Sequence, residues 1–207
     1  MTYIFDFDGT LVDSMPVFGK TMLRILDENK IDYPEDIVNI ITPMGYSGTA
    51  EYVIGLGLKM TAEEFIKKAI DYNTYEYHNT IPAKEFVIEK LRELRKRGDS
   101  LNVLTASPHY VLDECLKRLG IYELFDNVWS CDDFGCAKSE VRIYQEAAAR
   151  LGKNTSECCF VDDNVGAVST AKSSGMIAVG VYDKSSQDFT EEIKKNSDRY
   201  ILNFSEL

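Results

Sequence analysis

The sequence predicts an α/β protein, a doubly wound parallel sheet with a small α-helical domain inserted after its first strand. Three observations carry this expectation. From residue 80 onward, short apolar runs alternate with helical patterns, the rhythm of right-handed βαβ units buried on both faces. Residues 14–79 break that rhythm and show helical periodicity with no strand pattern. The acidic and hydroxyl-bearing clusters fall directly behind apolar runs, where an open parallel sheet binds its ligands.

The elements follow in order. Residues 3–7 form an apolar and aromatic run closed by Gly9-Thr10, which suits a buried strand ending in a loop. Met15, Phe18, Met22, Ile25 and Leu26 then mark one face of an amphipathic helix. Thr61-Ala62-Glu63-Glu64 reads as a capping box, with Met60 and Phe65 placed as its hydrophobic staple. Val87, Leu91 and Leu94 share a helical face that Gly98 closes. A strand is expected over 101–105. Ser107 with Pro108 then predicts an N-cap and first residue of a helix that ends at Gly120. Further strands are expected at 128–130, 158–162 and 177–181, with a helix through Val141, Tyr144, Ala148 and Leu151 up to Gly152. The expected division is a core of residues 1–13 and 80–207 and a helical domain of residues 14–79.

At 207 residues the chain is long enough for one core with a small accessory domain. A net charge of −11, spread along the chain, argues against nucleic acid or an anionic membrane as partner. It leaves room for a small anionic substrate, because a bound metal and a few placed cations can dominate one pocket. Asp6 and Asp8 interrupt the first apolar run, so no signal-peptide core is expected. No apolar run reaches the roughly eighteen residues of a membrane span. Cys115, Cys131, Cys136, Cys158 and Cys159 lack a paired spacing and suit reduced thiols in the cytoplasm. The oligomeric state is left open.

Four clusters carry chemistry. In Asp6-Phe7-Asp8-Gly9-Thr10-Leu11-Val12-Asp13-Ser14, two carboxylates two residues apart point the same way if the strand continues. Two anions held close require a cation, and magnesium is served by a few carboxylates plus a substrate phosphate. One such carboxylate can attack phosphorus while the other handles protons. Thr105-Ala106-Ser107 offers a hydroxyl and backbone N–H groups ahead of a helix, a natural phosphate cradle. Lys138 follows a polar stretch before another helix, and alone it reads as a surface charge. Asp162 and Asp163 form an acidic pair closing an apolar strand.

Taken in order, these motifs resemble the haloacid dehalogenase superfamily, in the branch of phosphoglycolate phosphatases and β-phosphoglucomutases. The resemblance covers nearly the whole chain and implies a Rossmann-like core with a small helical cap. It implies that Asp6 is the nucleophile and Asp8 the general acid and base, with the Asp8 carbonyl also on magnesium. The second Asp of the motif favours phosphate esters over the halides and phosphonates of other branches. Thr105 and Ala106 would hold the phosphoryl group, and Lys138 would neutralise it, with Arg142 the fallback. Ser139 stands where many relatives have proline. Asp163 would ligate magnesium directly and Asp162 directly or through water. Ala167 stands where a longer variant of the fourth motif has another Asp.

The implied activity is hydrolysis of a small phosphorylated metabolite through an aspartyl phosphate on Asp6. A sugar phosphomutase would share the first step, then return the phosphoryl group to a second hydroxyl. Such an enzyme holds a second phosphate, yet residues 43–49 contain no Lys or Arg. Gly48 and Phe18 stand where those mutases tend to have arginine and histidine. A non-catalytic protein on the same scaffold would have lost Asp6 or Asp8. Substrate choice is expected to rest on a cap loop in which Gly45 and Gly48 flank and present Tyr46 and Ser47. His109, beside the second motif, is a candidate pocket wall.

Overall fold

The computed structural model describes the backbone of residues 1–207 and every side chain except that of Pro43. In chain order the elements begin with β1 (Thr2–Phe5), α1 (Met15–Glu28), α2 (Ile37–Ile41), α3 (Gly45–Gly55) and α4 (Ala62–Asn79). They continue with α5 (Val87–Arg97), β2 (Ser100–Thr105), α6 (His109–Arg118), β3 (Asn127–Ser130) and α7 (Val141–Arg150). The last are β4 (Cys158–Asp162), α8 (Val165–Ser173), β5 (Ile177–Val181), α9 (Thr190–Asn196) and β6 (Arg199–Ile201). The chain divides into two compact units, Met1–Asp13 with Pro82–Leu207, and Ser14–Ile81.

The first unit is built on a six-stranded sheet in the order β3-β2-β1-β4-β5-β6, with every pairing parallel. The strands run outward from β1 through β2 to β3, then restart on the other side of β1 with β4. The boundary between β1 and β4 is therefore the topological switch point, where an open α/β sheet presents a crevice. All four residues of β1 are buried, which fits a strand covered on both faces. Ile4, Leu104 and Phe160 share one cluster with Ile143 and Tyr144 of α7 and Ala167 and Ala171 of α8. Phe5 faces the opposite way, its ring 6.5 Å from Phe125 and 5.9 Å from Phe204. This is the expected α/β, Rossmann-like sheet with one strand more, because β6 is a three-residue edge strand too short to leave a periodic signal.

The second unit packs α1, α2, α3 and α4 around Met22, Ile25, Leu26, Ile37, Ile41, Ala50, Val53, Phe65 and Ala69. The capping box of α4 is present, with the Thr61 N–H donating to Glu64 at 2.8 Å and the Glu64 N–H donating to Thr61 Oγ1 at 3.2 Å. Residues 45–49, expected as a loop, instead form the first turns of α3. Gly45 does supply a turn, with φ +61, but Gly48 is helical. Two glycines close together mimicked a loop signature that the helix tolerates at its start.

Candidate active site

Asp6 is the first residue after β1, and its N–H continues the parallel ladder to the Val161 carbonyl at 2.9 Å. That bond aims a 4% exposed carboxylate out of the sheet at the switch point. Asp162 closes β4 on the adjacent strand and Asp163 follows it. Asp6, Asp162 and Asp163 each bring a carboxylate oxygen to within 4.8 Å of the others, and all three residues are buried. Lys138, arriving from the loop after β3, donates to Asp6 Oδ1 at 2.6 Å and to Asp162 Oδ2 at 2.8 Å. The structure thus brings together four residues that lie up to 157 positions apart in the chain (163 − 6).

The neighbouring contacts fix each group. Thr10 Oγ1 donates to Asp163 Oδ1 at 2.9 Å and accepts from the Asp163 N–H at 3.1 Å, so one hydroxyl orients that residue from two sides. Gly9, at φ +73, lies so close to this carboxylate that a Cβ there would sit 2.6 Å from Asp163 Oδ2. Only glycine meets both demands. Asp162 Oδ1 accepts from the Asn164 N–H at 2.7 Å, and the Asn164 side chain caps α8. At the end of β2, Thr105 Oγ1 accepts from the Ser107 N–H at 3.1 Å, which folds the second motif into a tight turn with Ala106 exposed at its tip. Ser107 does not cap α6 as expected. Its hydroxyl donates to Asp8 Oδ2, and Pro108 takes the N-cap position. Asp8 is half-buried, and its carboxylate lies outside the three-carboxylate group.

Charge does not balance here. Three buried carboxylates meet one ammonium, so burial and then Asp162 push the Asp6 carboxyl well above its ordinary range, against the pull of Lys138. Burial and Asp162 likewise push Asp163 up to about 7, although the Thr10 hydrogen bond works the other way. Burial opposes the charge on Lys138, but the Asp162 and Asp6 carboxylates outweigh it and raise the ammonium well above its usual value. Asp6, Asp162 and Asp163 together could hold a metal ion. These buried oxygen donors fit a divalent ion of the magnesium kind.

Residues 1–175 match the haloacid dehalogenase-like hydrolase family. The chain belongs to that family. It is 30% identical over 180 residues to Pyrophosphatase PpaX of Bacillus velezensis, covering 86% of this chain and 81% of that one. It is 28% identical over 216 residues to Glyceraldehyde 3-phosphate phosphatase of Methanocaldococcus jannaschii, covering 99% and 93%. A HAD family hydrolase from Deinococcus radiodurans, solved with bound phosphate and sodium, superposes with a TM-score of 0.80. Its identity is 20%, with 99% of this chain and 92% of that one covered, and this likeness concerns the fold.

Several residues of this haloacid dehalogenase-like hydrolase escaped sequence reasoning. Tyr144 read as a helix-face residue, yet its fully buried hydroxyl lies 2.8 Å from the Lys138 carbonyl and 3.1 Å from that of Ala167. It fastens the backbone that carries the lysine. Tyr46 packs within the helical unit, its ring 5.5 Å from Phe18 and its hydroxyl accepting from Asn73 Nδ2 at 2.6 Å, while Gly45 and Ser47 are exposed.

His109 has a carboxylate partner at each ring nitrogen. Asp113 Oδ1 lies 3.0 Å from Nδ1 and Asp133 Oδ2 lies 2.9 Å from Nε2. Both carboxylates only accept, so the ring that satisfies them carries both protons, and Asp113 then Asp133 raise its pKa above 6.5. A raised pKa in the folded state contributes stability that is complete below 6.5 and lost as pH climbs through the folded value. The gap in melting temperature between wild type and His109→Gln is therefore expected to be widest below pH 6.5 and to close as pH rises through the raised folded value. A gap independent of pH would show that the imidazolium bridge contributes nothing.

Proposed function

We propose that this hydrolase is a magnesium-dependent phosphatase acting on a small phosphate monoester through an aspartyl phosphate on Asp6. The observation that carries the reading is the placement of Lys138 across Asp6 and Asp162, with Asp163 alongside, at the switch point between β1 and β4. A buried carboxylate steadied by an ammonium at one oxygen can offer the other to phosphorus. Relatives named as phosphatases of pyrophosphate and of glyceraldehyde 3-phosphate support phosphoryl chemistry.

Asp6 attacks phosphorus in line, and the bond from phosphorus to the ester oxygen breaks. Asp8, held by the Ser107 hydroxyl, protonates the departing alcohol. Thr105, the backbone at Ala106, and Lys138 bind the phosphoryl oxygens. Asp8 then takes a proton from water, which attacks phosphorus and frees Asp6. Asp6, Asp163 and the Asp8 carbonyl would hold the metal, with Asp162 next to them. A bound divalent cation there withdraws charge from the phosphoryl oxygens.

Purified protein assayed with magnesium against a panel of phosphate monoesters tests the reading. Release of inorganic phosphate supports it, whereas isomerised ester without phosphate release indicates a mutase. Activity is expected to vanish with a chelator, return with magnesium and be inhibited by calcium, whose looser shell aligns Asp6 poorly. Both oxygens of Asp162 already have protein partners, Lys138 and the Asn164 N–H. Asp163→Asn is therefore expected to weaken magnesium binding about tenfold or more, and Asp162→Asn less. The reverse order in calorimetric titrations would exchange the two assignments.

The helical unit, residues 14–81, is assigned the choice of ester, with Gly45, Tyr46 and Ser47 as its reading residues. Tyr46→Ala should reorder the ranking of natural esters while slow hydrolysis of a small aryl phosphate stays within about tenfold, or ~1.4 kcal/mol. An unchanged ranking with a lowered melting temperature would leave Tyr46 as packing alone. The free cysteines suit a reducing compartment, and cytoplasmic residence is proposed on that ground.

A further inference from the structure

Lys84 lies in the stretch Pro82-Ala83-Lys84-Glu85, where a lysine reads as a solvated charge. Its ammonium instead has three acceptors in the sheet unit: the Gly9 carbonyl at 2.5 Å, the Tyr182 carbonyl at 2.7 Å and Asp183 Oδ2 at 2.8 Å. Its backbone N–H donates to the Leu11 carbonyl at 3.0 Å. One residue therefore grips the loop of the first motif at both ends of the segment 9–11. The grip is itself fixed. Asp183 is 5% exposed, and its other oxygen accepts from the Ser185 N–H at 2.8 Å and hydroxyl at 2.6 Å.

The consequence runs through one peptide group. The Gly9 carbonyl and the Thr10 N–H belong to the same plane, so holding that oxygen sets where the Thr10 side chain begins. Thr10 then holds both the N–H and the carboxylate of Asp163, while Gly9 abuts that carboxylate from the side. Asp8 is the residue just before. An ammonium saturated by three acceptors has no donor to spare for substrate.

We infer that Lys84, buttressed by Asp183, is a positioning residue that holds the Asp8–Thr10 loop in register with Asp163, and through it sets the metal affinity and turnover of the site. This rests on the phosphatase reading above for the reaction, but its metal arm stands apart from it. Lys84→Met leaves two carbonyls and a buried carboxylate without their donor, and Asp183→Asn removes the anchor while keeping its shape.

The test measures magnesium affinity by calorimetry, together with kcat and KM on an ester the wild type hydrolyses, for Lys84→Met, Asp183→Asn and a Leu94→Ala control. Leu94 is buried in α5 and belongs neither to the first-motif loop nor to the Lys84–Asp183 pair, so it serves as the control for lost stability. Lys84→Met is expected to weaken magnesium binding and lower kcat about tenfold or more each, with KM within about threefold. Asp183→Asn should follow in the same direction, and the control should change neither at temperatures where all variants are folded. If Lys84→Met fails to fold, Asp183→Asn carries the same comparison. Magnesium affinity and kcat within about twofold of wild type in the folded variants would overturn the inference. A wild type that hydrolyses no ester would defeat the phosphatase reading, leaving the magnesium titrations to decide the role of Lys84.

Discussion

Asp6→Asn is expected to lose about 10^4-fold or more in turnover, because a carboxamide cannot form the phosphoryl-enzyme bond and only binding and electrostatic contributions remain. The fold should survive. The substitution is nearly isosteric, and it removes one of three carboxylates crowded within 4.8 Å of each other. Lys138 retains Asp162 as a partner at 2.8 Å. The melting temperature measured without metal is therefore expected to stay level or rise, since a neutral group replaces one that burial already disfavours as an anion. Wild-type activity in this variant would eliminate Asp6 as the nucleophile, and a collapsed melting curve would show that its role is structural.

Lys138→Met is expected to damage both chemistry and stability. Among the described residues the ammonium is the one cation bonded to the Asp6 and Asp162 carboxylates, and its side chain is 15% exposed. Breaking a buried pair from one side typically costs about 3–5 kcal/mol, because the remaining charge is left uncompensated. That loss should depend on pH. Without the lysine, Asp6 loses the charge that pulls its carboxyl down and binds its proton more tightly still in the folded state, so stability falls as pH rises. The deficit against wild type is expected to be small near pH ~5 and large near pH ~8 in denaturant titrations. Turnover should fall by about 10^2-fold or more, the scale of losing a group that stabilises transferring charge. A pH-independent deficit would place the lysine outside the carboxylate group.

The two variants share a logic that shows what the sequence made legible. Asp6, Thr105 and the Asp162–Asp163 pair stood out because each closes or follows an apolar run, and a parallel sheet gathers such positions at one end. Lys138 needed the resemblance, since one lysine in a polar stretch carries no signal by itself. Contacts made by ordinary-looking residues stayed hidden. Lys84 meets the Gly9 carbonyl across 75 positions and Thr10 meets Asp163 across 153, and no local pattern records either pairing. Ser107 looked like a helix cap because serine before proline usually is one, yet its hydroxyl turned to Asp8. The glycines at 45 and 48 were ambiguous for the opposite reason, because a positive φ at one says nothing about the other.

The central claim is that a phosphoryl group passes through Asp6. The most direct measurement is to mix enzyme, magnesium and a turned-over ester, quench in acid within one turnover, reduce with borohydride and map the peptides by mass spectrometry. An acyl phosphate is reduced to the alcohol, whereas a free carboxylate is untouched. The account predicts conversion of residue 6 to homoserine, dependent on substrate and absent from Asp6→Asn. Rapid turnover with residue 6 always recovered as aspartate, or with the reduced residue at position 8, 162 or 163, would contradict it.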